Sequence, residues 1–255
     1  MKLKLGISIY SVPDRSIDTL GDFVQENDFD AIELWDSPLP KRNAKSHKYL
    51  ESGDRDLSVH APLLNLGDEG LFRSNVQGLR KTIERAGAYG ARNVVLHTGI
   101  LAGPDVSGGV DLAKKVVDSN LDSLDECDIM LCLENVGYLG DDLISDFEQL
   151  AALVDCFPSH MVGVVFDVSH ANITGGVESG IEVLRDRIEY VHLSDNLGER
   201  KVHHMPIGEG NIDFRHLERC PSLDDHAGIL EITPGSNWQK SLLDSRRVLQ
   251  ELDLA

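Results

Sequence analysis

Along the chain, short apolar and β-branched runs alternate with longer stretches whose apolar residues recur every three or four positions. The short runs are Lys4–Tyr10, Ala31–Asp36, Leu57–Pro62, Asn93–Gly99, Met130–Val136, Val162–Val168, Ile188–Asn196 and Gly228–Thr233; each reads as a strand. Between them, Ile17, Leu20, Phe23 and Val24 share one helical face, as do Leu79, Ile83, Ala86 and Gly90. Leu112, Val116, Leu121 and Leu124 form a third face, and Ile144, Phe147, Leu150, Ala151 and Val154 a fourth. Trp238, Leu242, Leu249 and Leu252 close the chain. Weaker patterns predict helices near Asn43–Leu50 and Asp213–Leu217. Strands and helices alternating in this way imply parallel strands, and eight of them close a barrel. The expected fold is α/β, a single (β/α)8 barrel spanning residues 1–255.

Strand side chains alternate between two faces. One parity holds Val59, Val94, Leu96, Leu131, Leu133, Val164, Phe166, Val191, Leu193, Leu230 and Ile232, all apolar, and is assigned to the helix-facing side. The other parity ends, strand by strand from the second, in Glu33, His60, His97, Glu134, Asp167, His192 and Glu231. Four carboxylates and three imidazoles then point inward at the C-terminal end of the strands, where barrel enzymes keep their active sites. So many charges in one mouth would repel or go unsolvated, and a divalent cation removes that difficulty.

Glu134, Asp167, His192 and Glu231 offer three carboxylates and one imidazole, a donor set for Mn²⁺, Mg²⁺, Co²⁺ or Zn²⁺. His60 and His97 either add a second, zinc-like ion bridged by Glu134 or hydrogen-bond a substrate. No organic cofactor is expected, since Gly208-Glu209-Gly210 is too short for a dinucleotide fingerprint and reads as a loop over the mouth. Trp35 either walls a pocket with its apolar face or packs in the core. Lys41, Arg42, Lys45 and Lys48 form either a solvated helix face or a phosphate contact; His47, His160, His216 and His226 read as surface residues.

Composition narrows the function. The 255 residues are 41% hydrophobic and 26% charged, the balance of a soluble globular protein, with no break to mark a second domain. The net charge of −19 repels phosphate backbones, so nucleic acid is a disfavoured partner, though salt adaptation would give the same acidity. No apolar run is long enough for a membrane span, and MKLKLGISIY reads as a first strand rather than a signal peptide. Cys127, Cys132, Cys156 and Cys220 form no CxxC pair and read as reduced thiols of a cytoplasmic protein.

The stretches IELW, SVHAPL, VVLHTG, LENV, FDVSHA, YVHLSDN and HHMPIGEGNIDF, in this order, resemble the xylose isomerase-like barrel superfamily of sugar isomerases and epimerases, inosose dehydratases and endonuclease IV. The resemblance covers nearly the whole chain. It implies a shared metal site at Glu134, Asp167, His192 and Glu231, whose two glutamates also move the proton in the sugar epimerases. His170, three residues after the strand-six aspartate, is implied to contact substrate. In endonuclease IV the residues matching His60 and His97 help bind a further zinc. A third zinc there uses the residue matching His170 and a D-x-H pair, which in this chain reads Val202-His203-His204, so that only His204 matches. The aromatic residue with which endonuclease IV probes DNA is Leu63 here.

The expected function is therefore a metal-dependent isomerase or epimerase on a small sugar or polyol ketone, phosphorylated or not, working through an enediolate. Glu134 and Glu231 serve as the acid–base pair, with His170, His204, Glu33 and Trp35 at the substrate. An endonuclease IV-like phosphodiesterase is the alternative. A homo-oligomer is compatible with the sequence, which does not fix the oligomeric state.

Overall fold

Eight strands, β1 (Lys4–Ser8), β2 (Ala31–Trp35), β3 (Asp56–His60), β4 (Asn93–Leu96), β5 (Met130–Glu134), β6 (Val162–Asp167), β7 (Ile188–Leu193) and β8 (Ala227–Leu230), run parallel in chain order. β8 pairs with β1 and closes the barrel. The structure is a computed structural model and describes residues 2–36, 55–103, 105–136, 141–199, 204–220, 223–224 and 226–255. The helix expected near Asn43–Leu50, the basic cluster Lys41–Lys48, His47, Val202 and His203 lie outside the described residues.

The helices are α1 (Leu20–Glu26), α2 (Phe72–Tyr89), α3 (Val106–Asp118), α4 (Leu121–Cys127), α5 (Phe147–Val154), α6 (Val168–Thr174), α7 (Val177–Leu184) and α8 (Trp238–Glu251). With β1–β8 they form a (β/α)8 TIM barrel. The face expected to run from Leu112 to Leu124 belongs to two helices. At their junction Asn120 turns its buried amide back to the Val116 carbonyl and Ser119 bonds the Lys115 carbonyl, closing α3 before α4 begins. Asp213–Leu217 falls in a 3₁₀ turn, Phe214–Arg219. The sequence pattern named no helix after the sixth strand, yet α6 and α7 lie there. Val177, Ile181 and Leu184, all buried, are the spacing that marks α7.

The two parities fill two cores. Helix-facing residues such as Val94, Leu131, Val164, Phe166 and Leu230 pack under the helices. Ala31, Val95, Cys132, Val165, Tyr190 and Ile229 form a separate cluster along the barrel axis. Cys127, Cys132 and Cys156 are free thiols, with Cys132 inside the barrel and Cys156 exposed, and the Cys220 thiol donates to the Arg185 carbonyl. Strands end sooner than their apolar patterns: β1 stops at Ser8, whose hydroxyl caps the next turn, and β7 stops at Leu193. Ile9 beyond β1 and the polar Ser194, Asp195 and Asn196 beyond β7 remain buried. Among the described residues no helix is long and apolar enough to cross a membrane.

Gly6 belongs to the inner layer. A Cβ there would lie 2.7 Å from the Ala31 carbonyl oxygen and 2.6 Å from Ile229 Cδ1, so only glycine lets β1 approach β2 and β8. Gly6→Ala is expected to lower stability by about 1–3 kcal/mol through overpacking. Gly235→Ala, with open space around it, should leave the denaturant midpoint unchanged. Equal midpoints for the two variants would contradict this.

Candidate active site

The C-terminal mouth holds a cavity of about 380 Å³. Its lining includes the apolar Trp35, Leu64, Ile100 and Val136 and the polar His97, Glu134, His170, His204 and Glu231. Strand ends deliver the central acidic and imidazole groups: Glu134 and Asp167 are the last residues of β5 and β6, Glu231 follows β8, and His192 lies one residue inside β7, whereas His170 sits on α6 and His204 on the loop after β7.

Glu134, Asp167, His192 and Glu231 present one donor atom each, all within 4.8 Å of one another. His192 Nδ1 lies 3.0 Å from Glu231 Oε2, 3.6 Å from Glu134 Oε1 and 4.0 Å from Asp167 Oδ2. These side chains are buried, and Glu134 Oε1, Asp167 Oδ2 and His192 Nδ1 make no aligned hydrogen bond. Buried polar atoms left so are costly, and a divalent cation at their convergence would satisfy all three. The donor set fits such an ion.

Glu134 is shared between two groups. Its Oε1 faces the tetrad and lies 3.2 Å from His170 Nδ1, while its Oε2 lies 2.9 Å from His97 Nε2 and 3.4 Å from His60 Nε2. His60 Nδ1 is taken by the Ala61 carbonyl, which leaves Nε2 aimed at the glutamate. One carboxylate thus faces two groups, the tetrad on one side and two imidazoles on the other. Asp167 is shared in the same manner: Oδ1 caps α6 through the His170 N–H, and Oδ2 lies 3.9 Å from His204 Nδ1. Asp167, His170 and His204 form a third group with donors within ligand range of one another.

Electrostatics follow from this crowding. Burial alone would depress the His192 imidazole, but Glu33, Glu231 and Glu134 outweigh it and hold its proton affinity well above the ordinary value. His170 behaves likewise and is raised to about 9 by Asp167 and Glu134 against its burial. Burial would raise the two glutamates, yet the surrounding imidazoles win: Glu231 falls to about 2 beside His192, and Glu134 drops well below the carboxylate range beside His97 and His192. Both glutamates are therefore anionic at neutral pH, the form that ligates a cation.

Trp35 lies flat on His60, ring centroids 4.4 Å apart, and against Tyr10 at 5.9 Å, so its indole walls the cavity. Glu33 does not reach the cavity, contrary to the substrate role expected from its parity. The strand register explains why: Trp35 pairs with His60, whereas Glu33 pairs with Ser58 one inward position lower. From there it accepts hydrogen bonds from His192, Tyr190 and Ser58. Leu63 is 68% exposed at the cavity rim. His160 and His226 are exposed and His216 half-buried, all away from the mouth.

Tyr10 and Asp142 also line the cavity, and sequence reasoning named neither: Tyr10, at the end of the expected first strand, lies in the 3₁₀ turn Ile9–Ser11, and Asp142 lies on the loop after β5. Sequence reasoning also missed Asn135, beside Glu134 in the LENV stretch. Its amide accepts from the Asp167 N–H at 2.7 Å and donates to the Asp167 carbonyl at 2.9 Å, and its own carbonyl receives His170 Nδ1 at 3.0 Å. Gly208 and Gly210 belong to the loop after β7, where both N–H groups bind the Asp195 carboxylate. Asn135→Leu is expected to strand the Asp167 backbone groups, costing about 1–3 kcal/mol for each buried group left unpaired. Chemical denaturation of the metal-free protein measures this, and an unchanged midpoint would contradict it.

Residues 22–250 match the family model described as xylose isomerase-like TIM barrel. A probable endonuclease 4 of Shouchella clausii (strain KSM-K16) is 30% identical over 212 residues, covering 74% of this chain and 70% of that protein. The crystal structure of a D-tagatose 3-epimerase-like protein superimposes with a TM-score of 0.82 at 25% identity, over 98% of this chain and 99% of that one. The IOLI protein, crystallised with a zinc atom, gives a TM-score of 0.79 at 16% identity over 98% of both chains, a likeness of fold. With nearly its whole length matched, the chain belongs to the xylose isomerase-like TIM barrel family.

Proposed function

We propose that this protein is a metal-dependent isomerase or epimerase acting on a small sugar or polyol ketone. One observation carries this: of the four tetrad residues, Glu134 and Glu231 line the cavity, whereas Asp167 and His192 are not among its lining residues. Two anionic carboxylates thus border the space a substrate would fill, on strands three steps apart around the ring. The family's members are enzymes, and the D-tagatose 3-epimerase-like likeness supports sugar chemistry.

A divalent cation held by Glu134, Asp167, His192 and Glu231 would supply Lewis-acid polarisation of a substrate carbonyl. One glutamate then removes the α-proton of the ketone, and the other returns a proton on the opposite face or at the neighbouring carbon. His170 and His204 orient substrate hydroxyls. Ser194 Oγ, 2.8 Å from His204 Nδ1, fixes that ring. The Trp35 face covers the C–H side of the sugar.

Metal content and turnover test the proposal. Purified protein should hold at least one divalent ion per chain, and Asp167→Ala should lose most of it while remaining folded; full occupancy in that variant would remove the assignment. Gln keeps one oxygen ligand but cannot act as the base. Glu134→Gln and Glu231→Gln, each with saturating metal, should therefore turn over sugar at least about a hundredfold more slowly, since a general base typically contributes 10²–10⁴-fold. Near wild-type rates in either would reduce that glutamate to a ligand.

An endonuclease IV-like phosphodiesterase is the alternative, favoured by the two additional ligand groups, His60–His97–Glu134 and Asp167–His170–His204, beside the tetrad. Leu63 in place of a probing aromatic, Val202 in place of a ligating aspartate and the charge of −19 speak against it. Abasic duplex DNA should remain intact with nanomolar enzyme. Incision abolished by His60→Ala would reverse the order of the two.

A further inference from the structure

Glu33 is fully buried near the barrel axis, below the level of Trp35 and His60. Its partner His192 comes from β7, which is not a neighbour of β2 in the ring, so the two side chains meet across the barrel. Glu33 Oε2 lies 3.0 Å from His192 Nε2, and the same oxygen receives the Tyr190 hydroxyl at 3.1 Å and the Ser58 hydroxyl at 3.1 Å. Three donors from β3 and β7 therefore converge on one oxygen. A carboxylate can only accept, so Nε2 must carry the hydrogen. The lone pair of the neutral ring is then on Nδ1, the atom that faces Glu134, Asp167 and Glu231.

We propose that Glu33 is a positioning residue for the cation site: it fixes the tautomer and tilt of His192 from beneath, so that Nδ1 is the ligating atom. This rests on the divalent-cation reading given above and extends it to a residue that touches neither the ion nor the substrate. Tyr190 and Ser58 hold the acceptor oxygen in place, and their packing in the inner core keeps it from rotating away. With an alanine at position 33, the His192 ring is free to turn or to place its proton on Nδ1.

The test uses Co²⁺ alone, with affinity read by chelator competition and ligand geometry by the visible absorption bands. Glu33→Ala should weaken Co²⁺ binding about 10–100-fold, the usual cost of losing a ligand's outer hydrogen-bond partner, and shift the bands. Glu33→Gln should recover most of the affinity, because the Ser58 and Tyr190 hydroxyls keep the amide oxygen, not its NH₂, facing Nε2. Should Glu33→Ala not fold, Glu33→Asp replaces it: the charge stays but the acceptor is drawn back from Nε2, and the same loss is expected. Wild-type affinity and bands in the Ala or Asp variant would overturn the proposal. So would a Gln variant as weak as Ala, or a lower metal-free melting temperature with unchanged Co²⁺ bands. A wild-type chain that takes up no Co²⁺ would instead overturn the cation reading, and this inference with it.

Discussion

Carboxylates gathered in a place from which water is excluded must be compensated there, and the upper half of this barrel is organised around that requirement. Glu33, Glu134, Asp167 and Glu231 are all buried, and an isolated charge in such surroundings carries a large solvation cost. The protein offsets it with imidazoles in direct contact: His192 lies among all four carboxylates, His97 and His60 against one edge of Glu134, and His170 against the other. A protonated imidazole and a divalent cation answer the same demand. Metal uptake by such a cluster is an exchange of protons for a cation, and the scaffold that favours one favours the other.

The barrel meets this demand through side-chain alternation. One parity of each strand is given to helix packing, and the other lines the axis, apolar in its middle and polar at the C-terminal end. Strand-end residues from β5, β6, β7 and β8 then converge without any loop having to carry a ligand of the tetrad. Loops contribute the cavity walls instead, through Tyr10, Leu64, Ile100 and His204. The rigid part of the fold thus holds the charges and the variable part meets what binds them.

That division also explains what was legible beforehand. Parity put Glu134, Asp167, His192 and Glu231 on the inward side together with Glu33, His60 and His97, because a period of two assigns each strand residue to a side. It assigns no height. Glu33 and Trp35 share a face, but the register of β2 against β3 puts one below the mouth and the other in the cavity wall. Pairing between strands is not written in either strand's own pattern. Asn135 escaped for a related reason: its work is a hydrogen-bonded bridge from the end of β5 to Asp167 on β6, and sequence shows only a polar residue after a strand. Asp142 lies on a loop, where no period applies, and Tyr10 leaves the period of β1 because the chain turns into a 3₁₀ turn at Ile9. The break between α3 and α4 depends on Asn120 and Ser119 turning back onto the preceding carbonyls, a local event that a continuous apolar face conceals.

The Asp195 carboxylate receives the N–H groups of Asn196, Gly208, Gly210 and Ile212, and the Asp195 backbone pairs with Met205 in both directions. The chain thus leaves β7 and comes back to the same residue, like a cord looped around a post. Whatever the cord between Leu197 and His204 contains, its two ends stay fixed to the barrel, and added length costs only a slowly growing closure entropy. His204 stands at the returning end, its carbonyl tied to the Thr233 N–H. Descendants of this gene can therefore lengthen, shorten or rewrite that stretch while the charges beneath keep their places.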